Sequence, residues 1–588
     1  MRRSAVLLAL CAVLPATARG QDRTVEVESL KISIDTAWGT QTAPGYLPVR
    51  LDITNLGEAR VIELVGQGNR STRTGRSMMT GTTAVTQTIR LARGDRVRLT
   101  VPVPIFSDNE SIEFQIRERG RTLEYLSYAG LRSRALPPQA SVLVVSEPQR
   151  ALARVARRRT GAAASSSFTL GRGGGVPVRT LAAPVDFPLE PWRLPTNWLG
   201  FTSLRAVVID PAGWEQLIDA QKTAVINWVA AGGDLFFVDG DPDVLFPGSA
   251  PTPGEAPART HFFGRVHRAT LASLETGGLD PALIATEKAR DEPWALPANG
   301  ATDWGVIAAR GFRLPIPGIE GVPARTYLAI LILFGVLIGP VNYWWLRRRR
   351  QQVLIVLTVP LISAVFIALL AGYAVAGEGF GVHGRAVSLT WLDQSSRQAV
   401  TRAAASLYAA GLTPSGGLRF SRDVAVFPIG FDGLGPRGRL RLDLSDAQRF
   451  SAGLLEARSA TNLEVISVRA ARERLSFTRE GGGVGVVNGL DATVMALVYQ
   501  DADTKYVLSG PLAPGAKSML TASAGESPIV VPHRDAPMSP KLLRLVREQP
   551  SGSYLAVLDR SPFWETGVSR VMERGSFHLV LGWPEATR

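Results

Sequence analysis

Two apolar stretches, Tyr327 to Leu346 and Val353 to Val375, contain no charged residue, and each is about the 20 residues needed to cross a bilayer core. Core helices of soluble domains rarely stay free of charge over that length. The pattern therefore predicts a transmembrane hairpin with helices over 326–346 and 353–375. The turn between them, 347–352, reads Arg347-Arg348-Arg349-Arg350-Gln351-Gln352. So short and cationic a loop belongs on the cytoplasmic side, with Tyr343, Trp344 and Trp345 as interfacial anchors just before it. No ionisable side chain of the charged kind lies in either span, which argues against an ion or proton path made by this chain alone. Gly339-Pro340 and Pro360 are expected to kink the helices.

The N-terminus gives a second topological signal. Met1-Arg2-Arg3 precedes the apolar run Ala5 to Leu14, followed by Pro15 and the small-residue pattern Ala16-Thr17-Ala18. This is the three-part layout of a secretory signal peptide, expected over 1–20. Leu10 before Cys11 does not fit a lipoprotein signal, so cleavage is placed near residues 18 to 20. Both signals put the long segments flanking the hairpin on the outer, periplasmic side of an inner (cytoplasmic) membrane.

That compartment decides how the charge is read. The 588-residue chain carries a formal +14, nearly all from arginine, since Lys31, Lys222, Lys288, Lys505, Lys517 and Lys541 are its only lysines. A basic surface favours anionic partners. Export removes nucleic acid from consideration and leaves anionic lipid or an anionic wall polymer. The single cysteine, Cys11, falls within the signal segment, so a processed chain has no disulfide, thiolate metal site or cysteine nucleophile.

A length of 588 residues exceeds one hydrophobic core and predicts several domains. Over 21–138, short alternating segments (Val25 to Ile34, Leu47 to Asn55, Arg60 to Gly66, Val85 to Leu91, Arg96 to Val103, Ser111 to Arg117) predict an immunoglobulin-like β-sandwich. From 139 to 320 the texture changes. Ser141 to Val145 and Ala206 to Ile209 are continuous apolar runs, as in parallel strands buried on both faces. A helical pattern over Trp214 to Ala231 stops at Gly232-Gly233, and a further strand, Leu235 to Val238, follows. This is a βαβ signature of an α/β domain, with Gly161 to Gly175 expected as a flexible insertion. The region 385–588 is strand-rich, with Asn488-Gly489 expected as a hairpin turn, and is read as a separate C-terminal β-rich domain.

Trp198-Leu199-Gly200, Val207 to Asp210 and Gln221 to Gly233 resemble the class I glutamine amidotransferase-like fold of bacterial membrane-anchored proteins. Gly339-Pro340-Val341-Asn342-Tyr343 with Leu346-Arg347-Arg348 resembles their first membrane helix. The architecture is also similar to auxiliary subunits of gliding-motility-type ABC transport systems. The resemblance implies a fold without its reaction. Amidotransferases of that fold use a cysteine nucleophile paired with a histidine, and no cysteine follows position 11.

Open parallel sheets place ligands beyond the carboxyl ends of their strands. Glu147, Asp210 and the group Asp239, Asp241 and Asp243 are expected there. Asp210, Asp239, Asp241 and Asp243 are the candidate ligands for a hard divalent cation, with turn and helix-cap roles as the competing reading. The stretches Gly171 to Gly175, Gly377 to Gly384 and Gly481 to Gly485 lack the Lys-Ser or Lys-Thr of a phosphate loop. His261, His267, His383, His533 and His578 show no metal-ligand spacing, and His533 with Asp535 reads as a surface turn. No catalytic residue and no cofactor is expected. The sequence thus favours a non-catalytic, membrane-anchored envelope protein, a binding or scaffold subunit with a protein partner in an inner-membrane complex. A metal-dependent periplasmic hydrolase using the acidic cluster and an accessory subunit of an ABC-type transporter are the alternatives.

Overall fold

The computed structural model describes residues 23–36, 44–74, 77–106, 110–132, 142–147, 149–155, 186–246, 250–251, 258–276, 314–319, 324–379, 381–411, 413–429, 439–480, 483–502, 504–523, 525, 527–531 and 539–585. The signal segment, Gly161 to Gly175, His533 and Asp535 lie outside them. The chain is multidomain and strand-rich, with two apolar helices long enough to cross a membrane.

The N-terminal region builds two facing sheets. One contains Arg23–Val27, Leu30–Asp35, Gly45–Asn55 and Arg96–Ile105 in that order. The single strand expected over Val25 to Ile34 is a tight hairpin, because Glu28 and Ser29 adopt φ of 45° and 65° and reverse the chain. The facing sheet takes Arg60–Thr74, Ser77–Leu91, Glu110–Glu118 and Arg121–Arg132. Alternate residues such as Leu47, Val49, Leu51 and Ile53 from one sheet meet Ile62, Leu64, Ile112 and Phe114 from the other in one core.

The second sheet does not end where the sequence boundary at 138 placed it. Arg439–Asp443 pairs in parallel with Ser77–Leu91, Arg439 opposite Thr82 and Asp443 opposite Thr86, and Gln448–Ala452 and Leu418–Phe420 extend the edge. Three strands from beyond the apolar hairpin thus complete a sheet begun before it. The region 385–588 is therefore not a self-contained unit. Strand pairing across some 350 residues leaves no trace in local periodicity, so the sequence boundary missed it.

Val142–Val145, Asp186–Leu189, Ala206–Ile209, Asp234–Val238 and Gly264–Ala269 form the parallel part of a seven-stranded sheet, which Ala258–His261 and Ala250–Pro251 continue antiparallel. Its strands are buried on both faces, as their apolar runs predict. The helix expected over Trp214 to Ala231 is two helices, Pro211–Glu215 and Asp219–Ala230. Ala224, Val225, Trp228 and Val229 of the longer one are buried, with Trp228 against Phe201 at 5.9 Å between centroids. Gly264 permits this packing, since a Cβ there would lie 1.9 Å from the Val229 carbonyl oxygen.

The remaining sheet has twelve strands among the described residues, with Gln398–Ala409, Val382–Asp393 and Phe577–Trp583 near its middle. Asn488 is not in a hairpin turn. It is fully buried at the end of Gly483–Gly489, donating to the Ala492 and Leu512 carbonyls at 2.9 Å and accepting from Leu490 N–H. This sheet meets the parallel unit through an aromatic seam of Phe262, Phe263, Trp391 and Trp583, with centroids 5.3 to 6.4 Å apart. Inside it, Arg402 and Glu464 form a completely buried ion pair.

The apolar helices run over Leu328–Arg348 and Gln352–Gly372 with mean hydropathy 1.8 and 2.9. At Gly339-Pro340 the first helix widens into a π-turn over Leu337–Val341, the response of a helix to a missing N–H. Asn342 then donates to Thr358 Oγ1 at 2.9 Å, tying the helices together. Arg348 and Arg349 lie over the rings of Trp344 and Trp345.

Tyr46 sits where these units converge, with no exposed surface. Its N–H donates to Thr202 Oγ1 (2.8 Å), and its hydroxyl donates to Gln448 Oε1 (2.8 Å) and accepts from Val426 N–H (3.0 Å). Gly45 before it lets the strand approach the parallel unit, for a Cβ would stand 2.7 Å from Ser203 N. Tyr46→Phe strands a buried N–H and a buried amide oxygen, which costs about 1–3 kcal/mol. We expect its urea midpoint to fall accordingly while its circular dichroism at zero urea stays native.

Candidate functional site

The carboxyl ends of the parallel strands open on a cleft of about 390 Å³ whose lining includes Arg150, Leu152, Asp210, Val238, Asp239 and Leu271. Two of the four expected carboxylates reach it. Asp210 caps Pro211–Glu215, accepting from Gly213 N–H at 2.7 Å through Oδ1, and Arg150 Nη1 stands 3.6 Å from its Oδ2. Asp239 leaves its strand with φ of 54°. Its N–H donates to the Ala269 carbonyl, and its carboxylate accepts from Leu271 N–H at 3.3 Å. Glu147 lies beside them, between Arg150 at 3.5 Å and the Gln216 amide at 3.1 Å.

Asp241 and Asp243 turn to other work. Asp241 caps the short helix Pro242–Leu245, and Asp243 is held by Arg259 at 2.6 Å. Among the described residues, no three His, Cys, Asp or Glu side chains gather so as to hold a metal ion. The expected quartet is thus split, two carboxylates at the cleft and two spent on a cap and an ion pair. A hard cation such as calcium takes 6–8 oxygen ligands. What remains in the cleft is a mixed-charge rim of one guanidinium and two capped carboxylates, suited to charge recognition.

Nothing in the sequence pattern joins Ser388 to His578 and Glu573, because the serine and histidine are 190 residues apart. The fold brings Ser388 Oγ to 2.7 Å from His578 Nδ1 and Glu573 Oε2 to 2.9 Å from His578 Nε2. The residue types are those of a hydrolase triad, but the ring is reversed, since serine hydrolases set the serine on Nε2 and the acid on Nδ1. Ser388 has no exposed surface and His578 is 1% exposed. The three side chains therefore bridge the parallel pairing of Val382–Asp393 with Phe577–Trp583 and present no nucleophile to a substrate. Burial pushes the Glu573 carboxyl up, but the hydrogen bond and charge of His578, with a hydrogen bond from Ser576, outweigh it and hold the group below its ordinary value.

His267 stacks on Phe236 at 4.6 Å, and its Nε2 lies 3.6 Å from buried Asp234, which Arg205 also faces. His261 packs against Phe246 and Phe262, the latter part of the aromatic seam. Burial lowers its pKa from 6.5 to about 4, against a raising influence from Asp393.

No family model matches this chain, and neither does any curated protein. Among solved structures, a calcium-binding mutant of Bacteroides uniformis beta-glucuronidase 2 aligns with 39% of this chain and 24% of its own length, at 12% identity and a TM-score of 0.12. Bacteroides uniformis beta-glucuronidase aligns with 37% of this chain and 34% of its own, at 10% identity and a TM-score of 0.15. The alignment spans about a quarter to a third of those structures' length.

Because the folded His261 pKa lies below its unfolded value, the unfolded chain takes up the proton that the folded chain refuses. The contribution is complete above pH 6.5, falls as the pH drops towards about 4, and is flat below that. The full loss is at most about 3 kcal/mol. Guanidinium unfolding at pH 7.5 and 4.5 should show most of this loss in the wild type and little of it in His261→Leu. An equal loss in both would place the proton elsewhere.

Proposed function

We propose that the chain is a non-catalytic, membrane-anchored envelope protein, a binding or scaffold subunit of an inner-membrane complex, with both flanking regions on the periplasmic side. The observation that carries this reading is the sheet shared across the hairpin. Arg439–Asp443 is hydrogen-bonded to Ser77–Leu91, and paired strands cannot lie on opposite sides of a bilayer. Two spans that return the chain to the side it left satisfy that requirement, and one span would not. The side itself follows from the signal-like N-terminus and the Arg347 to Arg350 turn.

The hairpin's lateral surface supports a membrane environment. Leu331, Ile332, Val356, Leu357 and Leu361 are each more than half exposed, an apolar patch that water does not favour. The burial of Ser388 and His578, and the use of Asp241 and Asp243 in a cap and an ion pair, support binding over catalysis. We also read the parallel-sheet unit as amidotransferase-like and the N-terminal sheets as immunoglobulin-like, on the sequence segments that suggested them. A metal-dependent hydrolase draws less support, given that Asp241 and Asp243 are spent on a cap and an ion pair.

Two measurements test this. In a background with Cys11 replaced by serine, a cysteine introduced by Ser451→Cys, on the exposed face of the shared sheet, should react with an impermeant maleimide in spheroplasts. One introduced by Arg349→Cys should react only after the membrane is opened. The reverse pattern would overturn the topology. Crosslinking in intact membranes should then capture a reproducible integral-membrane partner, and a chain that stays alone under all growth conditions would overturn the subunit reading.

A further inference from the structure

The shared sheet does more than close the fold. Its outer face carries two side-chain rows in consecutive register across four strands. One row runs Arg441, Ala84, Gln67, Glu113, and the next runs Arg439, Thr82, Asn69, Ser111. The short residues Ala84 and Thr82 lie between longer neighbours, so over residues 82–84 the face is hollowed into a trough of about 520 Å³. Arginines form one flank, amides the other. The flanking strands are two strand spacings apart, roughly 9.5 Å, and the two arginines are about 7 Å apart along the trough.

Gln67, Asn69, Ser111, Glu113, Arg439 and Arg441 line this trough, and none has a side-chain hydrogen bond or ion pair among the described residues. Elsewhere on the N-terminal sheets arginines are commonly spent on carboxylates, as with Arg96 and Arg98 on Asp52 or Arg121 on Glu28. Here two guanidinia stay uncommitted beside two amides and a hydroxyl that can each donate and accept.

We infer that this trough binds an acidic polysaccharide, with its carboxylates or phosphates on the Arg439 and Arg441 flank and its hydroxyls on Gln67, Asn69 and Ser111. Guanidinium forks match such anions in two-pronged geometry. Other occupants fit less well. The strand that floors the trough is hydrogen-bonded on both edges, so a peptide cannot add as a further strand. The lining offers no broad apolar surface for an acyl chain and no aromatic ring for a nucleobase. The site exists only because the strand from beyond the hairpin supplies both arginines. It rests on the proposed function in one respect, that this face lies outside the cytoplasm.

The test uses the full chain in mild detergent, with calorimetric titration of a galacturonate decamer, a neutral maltodextrin of matched length, inorganic polyphosphate and phosphatidylglycerol vesicles. We expect saturable binding of the galacturonate decamer and none of the maltodextrin. Arg439→Ala with Arg441→Ala should weaken that binding at least tenfold at an unchanged melting temperature. Gln67→Ala with Asn69→Ala should weaken the galacturonate several-fold and leave polyphosphate unaffected, since only the sugar uses the amides. The inference falls if galacturonate does not bind or if either double variant leaves its binding unchanged. It falls equally if the vesicles, and not the glycan, depend on the two arginines. Capture of a membrane partner by the Arg439→Ala, Arg441→Ala variant is expected to persist, so loss of glycan binding and failure of the subunit reading are separable results.

Discussion

The parallel pairing of Arg439–Asp443 with Ser77–Leu91 is the constraint on which the other parts depend. It joins a strand that precedes two long apolar helices to one that follows them. Such a bond ladder fixes the separation of the two segments to about 4.8 Å. Whatever the apolar helices cross, they must bring the chain back. The loop-closure entropy of joining segments so far apart grows only with the logarithm of the distance, so a hairpin that pre-positions both ends lowers a cost that packing must still offset.

Tyr46 shows how the units that this pairing gathers are locked together. One residue contributes a backbone N–H to Thr202 of the parallel unit and a phenol to Gln448 and Val426 of the post-hairpin strands. Trp198 adds a similar tie, its indole N–H donating to the Asp423 carbonyl at 2.8 Å. Buried polar groups of this kind are expensive when unpaired, so they select one arrangement of the units and penalise slippage. The Arg402–Glu464 pair works on the same principle inside the large sheet. Removing either partner alone would leave a charge with no water to receive it.

The same logic accounts for what the polar clusters do. Asp210, Asp239, Asp241 and Asp243 all follow the ends of parallel-unit strands, where the sequence placed them, yet Asp210 and Asp241 cap short helices while Asp243 meets Arg259. Asp favours such positions because its short carboxylate reaches backbone N–H groups two or three residues ahead. Ser388, His578 and Glu573 reproduce the members of a triad, but the serine and histidine are sealed in a sheet. Gln67, Asn69, Arg439 and Arg441 on the trough of the shared sheet stay uncommitted and open to solvent, which is where our inference of a ligand rests.

How much was legible in advance varied with the range of the interactions involved. The apolar helices, the βαβ pattern from Val142 to Val238 and most sandwich strands were visible because hydrophobic period and length are local properties. The Glu28-Ser29 turn left no signal because it needs positive φ at both residues, where Gly, Asn or Asp is usual, and Asn488 read as a hairpin because an Asn-Gly pair serves a buried cap as well. The serine partner of His578 left no local signal, being 190 residues away. By itself, then, the sequence determined the apolar spans, the basic turn, a single cysteine at position 11 and the local strand and helix patterns, each written in consecutive residues. Only the tertiary structure decided that both sides of the hairpin share a sheet, that Tyr46 binds three units together and that Arg439 and Arg441 flank Gln67 and Asn69. Those facts depend on which distant strands pair, and pairing is settled by burial and hydrogen bonding over the whole molecule.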